Sequence, residues 1–314
     1  VECENLKLKK LKGRDFLTLQ EFSPKEILEI LKLAKRLKKG GKSPARLKGK
    51  ILAMVFQKPS TRTRVSFEVA MKQLGGDSLY LSWNELQLGR GETIADTARV
   101  LSRYVNVIMA RVYYHSDLEE LAKYASVPVI NGLSDICHPI QILADLLTIW
   151  EKKGTFKNLK VAYIGDGNNV CNSLLIGCSK LGINFSAACP EGYEPNEKFL
   201  SLALKNAEES GSKIEIVKEP YKAVENADFI YTDVIVSMGQ ENEREKRLKV
   251  FLPKYQVTSE LLKASSKNSY FMHPLPCHRG EEVTSDVIDG VNSIVWDQAE
   301  NRLHTTKALL SLLL

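Results

Sequence analysis

Short apolar runs, each followed by a polar cluster and then by a stretch with helical spacing, recur along this chain. Ile51–Phe56 is unbroken apolar, as expected of a strand covered on both faces. Val65, Val69 and Leu74 then repeat at helical spacing, and Gly75-Gly76 supplies a C-terminal stop. The same alternation predicts strands at 77–82, 105–112 and 127–131, and helices at 92–104, 117–125 and from His138 to about 153. Residues 83–91 read as a polar loop carrying Glu85, Gln87 and Arg90. The alternation resumes after 154–159, the best candidate for a boundary. It predicts strands at 160–165, 184–189, 214–217, 229–233, 270–273 and 293–296, and helices at about 169–181, 196–210, 221–226 and 258–263. A last helix opens at Asp297, and residues 240–249 form a highly charged segment. Ahead of all this, residues 1 to about 48 read as an amphipathic leader. Ser23-Pro24-Lys25-Glu26 is a capping box with proline at the first helical position, and Ile27, Ile30, Leu31 and Ala34 share one face up to Gly40-Gly41.

Repeated βα units predict an α/β fold of two doubly wound domains, each a parallel sheet flanked by helices. The expected domains are 1–153 and 154–297, with the last helix, about 298–314, returning to the first. Ligands of such sheets bind outside the carboxyl ends of strands. Polar clusters fall there repeatedly: after Phe56, at Arg111, after Asn131, after Gly165, at Asp233 and after Phe271. A site in the cleft between two domains is the expectation.

Composition narrows the class. With 314 residues, 44% hydrophobic and 26% charged, the chain has core material for about two soluble domains. No apolar run approaches the length that spans a bilayer, and no secretory segment follows the first residues, so a cytoplasmic protein without membrane partners is expected. The net charge of +6 comes from lysines spread along helices, with crowding at 7–12 and 32–42. Without an aromatic-interleaved basic stripe, nucleic acid is not an expected partner, whereas a mild positive field suits a small anionic substrate. None of the six cysteines forms a C-x-x-C pair, and no Cys/His spacing matches a zinc site. Cys171 and Cys178 share a buried-face spacing, and the pattern as a whole suits a reducing compartment.

The candidate chemistry starts at Phe56-Gln57-Lys58-Pro59-Ser60-Thr61-Arg62-Thr63-Arg64. Here a buried strand turns into a helix whose first N–H groups and positive dipole end point outward. Ser60, Thr61 and Thr63 add hydroxyls and Arg62 a planar fork, which together make a cradle for a phosphate-like dianion. The plainer alternative is an ordinary N-cap with solvated arginines. Arg111 ends an apolar strand, either reaching over the same anion or snorkelling at a sheet edge. His138 and Gln141 are three apart at a helix start, so both can face one ligand. The dipole there favours a neutral imidazole able to donate to a carbonyl oxygen. Gly165-Asp166-Gly167-Asn168-Asn169 follows a strand but lacks the third glycine of a dinucleotide fingerprint. Asp233 ends a strand, as a helix cap or as a holder of an ammonium group or a base.

Ser60-Thr61-Arg62-Thr63-Arg64 resembles the carbamoyl-phosphate motif of the aspartate/ornithine carbamoyltransferase family, and the resemblance covers nearly the whole chain. His138-Pro139-Ile140-Gln141 resembles the family's second carbamoyl-phosphate motif. Gly165-Asp166 with Asn169 resembles its amino-acid loop, and Ser237-Met238-Gly239 the closing loop of its ornithine branch. The resemblance implies transfer of a carbamoyl group from carbamoyl phosphate to L-ornithine, giving L-citrulline and phosphate in arginine biosynthesis or catabolism. It implies no cofactor and no metal. Ser60, Thr61, Arg62, Thr63 and Arg111 would hold the phosphate. Thr63, Arg111 and His138 would meet the carbonyl oxygen, Gln141 and the Leu275 carbonyl the carbamoyl NH2, and Arg302 the carbamoyl phosphate. Asn169, Asp233, Ser237 and Met238 would bind ornithine, with His273 helping Asp233 to position the amine. Gln87 would reach a neighbouring subunit's site, which implies a homo-oligomer, a trimer or a multiple of trimers. An arginine for a second substrate carboxylate is missing before Arg244, which disfavours aspartate. His273-Pro274-Leu275-Pro276 departs from the His-Cys-Leu-Pro usual for ornithine enzymes: Pro274 stands where they carry a thiol, and Cys277 lies three residues on. Leu275-Pro276 is a candidate cis bond exposing carbonyl oxygens. The departure keeps three other readings in play: a carbamoyltransferase for another amine such as putrescine, a weakly active ligand-binding relative, and, more distantly, a dinucleotide-dependent oxidoreductase.

Overall fold

The computed structural model describes residues 11–43, 47–237 and 239–314. Cys3, most of the 7–12 lysine run and Met238 lie outside the described residues. The chain divides into two compact units, one of Val1–Leu147 with Asn301–Leu314 and one of Thr148–Glu300.

The first unit opens with helix α1 (Pro24–Lys38), and its capping box forms as read: Ser23 Oγ accepts from Glu26 N–H and the Glu26 carboxylate accepts from Ser23 N–H. Strand β1 (Ile51–Phe56) leads into helix α2 (Thr61–Leu74), which ends on Gly75 in the left-handed region at φ +84°. Then come β2 (Asp77–Ser82), α3 (Ile94–Tyr104), β3 (Val107–Arg111), α4 (His115–Tyr124), β4 (Val129–Leu133) and α5 (Pro139–Lys153). The strands form a parallel sheet in the order β2-β1-β3-β4. Register pairs Phe56 with Arg111 and Arg111 with Leu133, so the segments after β1, β3 and β4 leave the sheet at one edge.

The second unit holds β5 (Lys160–Ile164), α6 (Asn169–Leu181), β6 (Asn184–Ala188), α7 (Glu197–Ser210), β7 (Ile214–Val217) and α8 (Pro220–Val224). It continues with β8 (Phe229–Thr232), α9 (Arg244–Phe251), α10 (Ser259–Lys263), β9 (Tyr270–Met272) and α11 (Ser285–Ile288). Its sheet is parallel throughout, in the order β7-β6-β5-β8-β9. Ile164 pairs with Thr232 and Tyr231 with Met272, so the segments after β5, β8 and β9 also share one edge. The final helix, α12 (Val295–Leu313), starts in this unit and belongs to the first from Asn301 on, where Lys38 Nζ donates to Asn301 Oδ1 at 2.8 Å.

Three expected elements differ. Residues 83–91 are not plain loop but two single 3₁₀ turns, Trp83–Glu85 and Gln87–Arg90. The strand expected at 127–131 is displaced to Val129–Leu133, because Pro128 has no N–H to give and its carbonyl only accepts, from Ile108. Gly132 lets that strand run on: a Cβ there would lie 2.4 Å from the Met109 sulfur. The strand expected at 293–296 is a lone bridge from Ser293 to Phe271, and α12 begins at Val295. Among the described residues, no helix is long and apolar enough to cross a membrane.

Candidate active site

In the first unit the turn after β1 is fixed by Gln57. Its backbone N–H donates to the Arg111 carbonyl, its Nε2 to Asp117, and its Oε1 accepts from Tyr113 N–H. Ser60, extended at φ −162°, caps α2 by accepting from Thr63 N–H at 3.2 Å. The cap of the plainer reading is therefore made, yet Thr63 behind it is buried along with Arg111, His138, Gln141 and Arg302. A solvated arginine face would not bury two guanidinium groups. Asp145 accepts from Gln141 Nε2 at 2.8 Å, which turns Gln141 Oε1 towards Arg302 Nη1 at 2.5 Å. Arg302 Nη2 donates to Thr63 Oγ1 at 3.1 Å. Residues distant in sequence are thus welded into one buried chain from Asp145 to Thr63.

His138, just ahead of α5, has its pKa pushed well below the ordinary value, first by burial and then by the charges of Arg302, Arg111 and Arg62. Three guanidinium groups around a neutral imidazole form a strongly positive, partly desolvated locus with a hydrogen-bonding ring at its centre, which suits an anion bearing a carbonyl. The same shift makes stability pH-dependent. The unfolded chain takes up a proton on this imidazole near pH 6.5 and the folded chain does not. The His138 contribution is therefore complete above that pH and is lost as pH falls through it. Urea midpoints at about pH 7.5 and 5.5 are expected to differ more for the parent chain than for His138→Asn.

In the second unit Asn168 caps α6, accepting from Val170 and Cys171 N–H, and its Nδ2 donates to Asp233 Oδ2 at 2.8 Å. Asp233 Oδ1 accepts from Val234 N–H. Burial raises the Asp233 carboxyl, and these hydrogen bonds oppose the rise. Asp233 is not a helix cap here; it stands beyond the end of β8. Asp166 is pushed up to about 6 by burial despite its pairing with buried Arg247, whose Nε also donates to the Ile235 carbonyl. Gly167 has no room for a side chain, since a Cβ would lie 2.2 Å from Pro195 N. The chain's own backbone occupies the space beside that glycine, which removes the dinucleotide reading of this loop.

His273 is fully buried. Its Nδ1 accepts from Leu275 N–H at 2.9 Å, so the ring proton sits on Nε2, which donates to Glu282 Oε1 at 3.2 Å. Its backbone N–H donates to Gln298, whose Nε2 donates to Tyr231 Oη. Nδ1 thus holds the turn over 273–276, in which Leu275 has φ +59° and the Leu275-Pro276 bond is cis, while Nε2 ties it to Glu282. Pro274 is buried within it.

Of the residues singled out from the sequence, Thr63, Arg111, His138, Gln141 and Arg302 gather in the first unit, with Arg62 near enough to act on His138. Ser60 caps the same helix, and Thr61 is exposed at its first position. Gln87 is exposed in its 3₁₀ turn and its side chain is outside that network. In the second unit, half-buried Asn169 opens α6 and its carbonyl accepts from Ser173, while Ser237 N–H donates to Gln240. Asp145, Asn168, Arg247, Glu282 and Gln298 were not singled out. Only Asn168 carried a local signal, as an asparagine directly before an apolar helix.

Family models match both halves: residues 14–151 match "Aspartate/ornithine carbamoyltransferase, carbamoyl-P binding domain" and residues 157–313 match "Aspartate/ornithine carbamoyltransferase, Asp/Orn binding domain". The chain belongs to the aspartate/ornithine carbamoyltransferase family. It is 64% identical over 307 residues to the ornithine carbamoyltransferase of Pyrococcus horikoshii, covering 97% of this chain and 96% of that protein. It is 62% identical, over 97% of each chain, to the anabolic ornithine carbamoyltransferase of Pyrococcus furiosus. A solved structure of ornithine carbamoyltransferase from Pyrococcus furiosus matches with a TM-score of 0.92, covering 96% of this chain and 97% of that one. In family terms, Arg62, Arg111 and His138 lie in the part matched as carbamoyl-phosphate-binding, whereas Asp233 and Arg302 lie in the part matched as Asp/Orn-binding.

Proposed function

We propose that this chain is an ornithine carbamoyltransferase of arginine biosynthesis, converting carbamoyl phosphate and L-ornithine to L-citrulline and phosphate. The observation that carries the reading is the buried Arg302 bridging Thr63 and Gln141 beside neutral His138 and Arg111. The relatives' names and their high identity over nearly the full length support the amine. Both arginines of the segment after Asp233 are committed to ion pairs, Arg244 with Glu281 and Arg247 with Asp166. That disfavours a dicarboxylic acceptor, which needs a cation for its second carboxylate.

In this mechanism the α2 N-terminus, with Ser60, Thr61 and Arg62, holds the phosphate. Thr63, Arg111 and His138 stabilise the carbonyl oxygen as it gains charge, and Arg302 lies against the same group. Gln141 and the Leu275 carbonyl orient the carbamoyl NH2. Asn169, Ser237 and Met238 receive the α-amino acid end of ornithine. Asp233 positions the side-chain amine in its neutral form; the amine lone pair attacks the carbonyl carbon, a C–N bond forms, the C–O bond to phosphate breaks, and the proton the nitrogen sheds passes to the departing phosphate. His273 supports the turn from which the Leu275 carbonyl projects. The active unit is a homotrimer or a multiple of it, with Gln87 serving a neighbour, and the setting is cytoplasmic. Light scattering that gave only a monomer at full activity would remove the shared-site part.

Timing phosphate release with ornithine, putrescine and aspartate tests the reading directly. Citrulline formation with ornithine alone is expected, and phosphate release only with putrescine would reassign the amine. Pro274 favours one second reading, a relative of low turnover. If the thiol matters here, Pro274→Cys raises kcat for citrulline formation by about tenfold or more. No gain would mean that the turn works through its backbone alone.

A further inference from the structure

The turn that follows Pro276 holds three side chains that the proposed reaction does not use. His278, Glu281 and Glu282 each present one ligand atom, and these atoms lie within 4.8 Å of one another. The turn is closed by Glu281 N–H donating to the His278 carbonyl and by Gly280 N–H donating to the Val283 carbonyl.

A separate observation points to what fills the space between them. Glu282 is only 1% exposed. Its Oε1 accepts from His273 Nε2 and from His278 N–H, but its buried Oε2 has no hydrogen-bond donor and lies 3.9 Å from His278 Nδ1. Glu281 repeats the arrangement: one oxygen pairs with Arg244, and the buried Oε2 has no donor. A carboxylate oxygen withdrawn from water without a donor is costly, and two of them in one turn compound the cost. Neighbouring charge does not relieve it, because Arg244 serves the other Glu281 oxygen and Arg279 is held by Asp289.

We propose that His278 Nδ1, Glu281 Oε2 and Glu282 Oε2 form a binding site for a divalent cation of the zinc type. One imidazole with two carboxylate oxygens is a borderline donor set that suits Zn²⁺, whereas Mg²⁺ and Ca²⁺ ask for more ligands, all oxygen. Three protein ligands leave a position for water. The cation takes no part in carbamoyl transfer. It holds the second oxygen of the carboxylate that orients His273, and so stiffens the turn carrying Leu275. The site does not depend on the proposed activity.

The full chain, stripped with a chelator, is titrated calorimetrically with Zn²⁺ in phosphate-free buffer. Saturable binding of one Zn²⁺ per chain is expected, weakened by about tenfold or more in His278→Ala and in Glu281→Gln and unchanged in Cys277→Ser. Co²⁺ bound in place of Zn²⁺ is expected to show d–d absorption without a thiolate charge-transfer band. His278 is exposed, so its variant folds, which the metal-free melting temperature checks. Absence of saturable binding would overturn the site. Binding that survives His278→Ala but is lost in Cys277→Ser would overturn it in favour of a thiol site.

Discussion

An Arg302→Leu variant is expected to lose about 10²–10³-fold in kcat for citrulline formation, the usual cost of removing one preorganised donor from developing charge. Arg302 is 3% exposed, so its charge acts almost without solvent screening. Its removal also leaves Gln141 Oε1 and Thr63 Oγ1 without their donor, at about 1–3 kcal/mol for each buried group left unsatisfied. The loss should fall on kcat and on the KM for carbamoyl phosphate, with the KM for ornithine little changed. Steady-state kinetics in both substrates, with circular dichroism to confirm the fold, decide the matter. An unchanged kcat would remove Arg302 from the machinery.

Asp233→Asn is the complementary case, with an expected loss of about 10²–10⁴-fold, the range for a positioned group that manages a reacting proton. Asparagine keeps the shape but offers one oxygen where Asp233 uses two, so it can still accept from Val234 N–H while the bond from Asn168 is lost, and circular dichroism checks the fold. What disappears is the carboxylate charge that the proposed reaction places against the amine. The KM for ornithine is expected to rise and kcat to fall, while carbamoyl phosphate still binds with its parental affinity in equilibrium titration. Equal losses for both substrates would indicate that Asp233 only supports the β8 end.

The alternation of strands and helices was legible because each element carries its own signal. The glycine stop at Gly75, the capping box at Ser23 and the start of α6 after Asn168 are local chemistry, and local chemistry survives folding. The strand-to-helix turn at Ser60 was legible for the same reason. Arg302 was not: it sits within a helix whose pattern looks ordinary, and only the family resemblance singled it out. Arg247 shows the limit more sharply. It lies in a segment that reads only as highly charged, yet it is buried against its partner Asp166, which comes from a loop far away in sequence. Glu282 and Gln298 were equally hidden, since what marks them is a shared partner, His273. His273 itself was read as helping with the amine, but its ring nitrogens are taken by Leu275 N–H and Glu282, and no spacing rule could have revealed that.

The stretch between Asp233 and Arg247 is moored at each end, by Asn168 at one and by Asp166 with the Ile235 carbonyl at the other. Its interior, 236–243, can therefore be treated as a replaceable cassette. Grafts from relatives should be tolerated if the cuts fall inside the two moorings, whereas a longer exchange would carry away both anchors together.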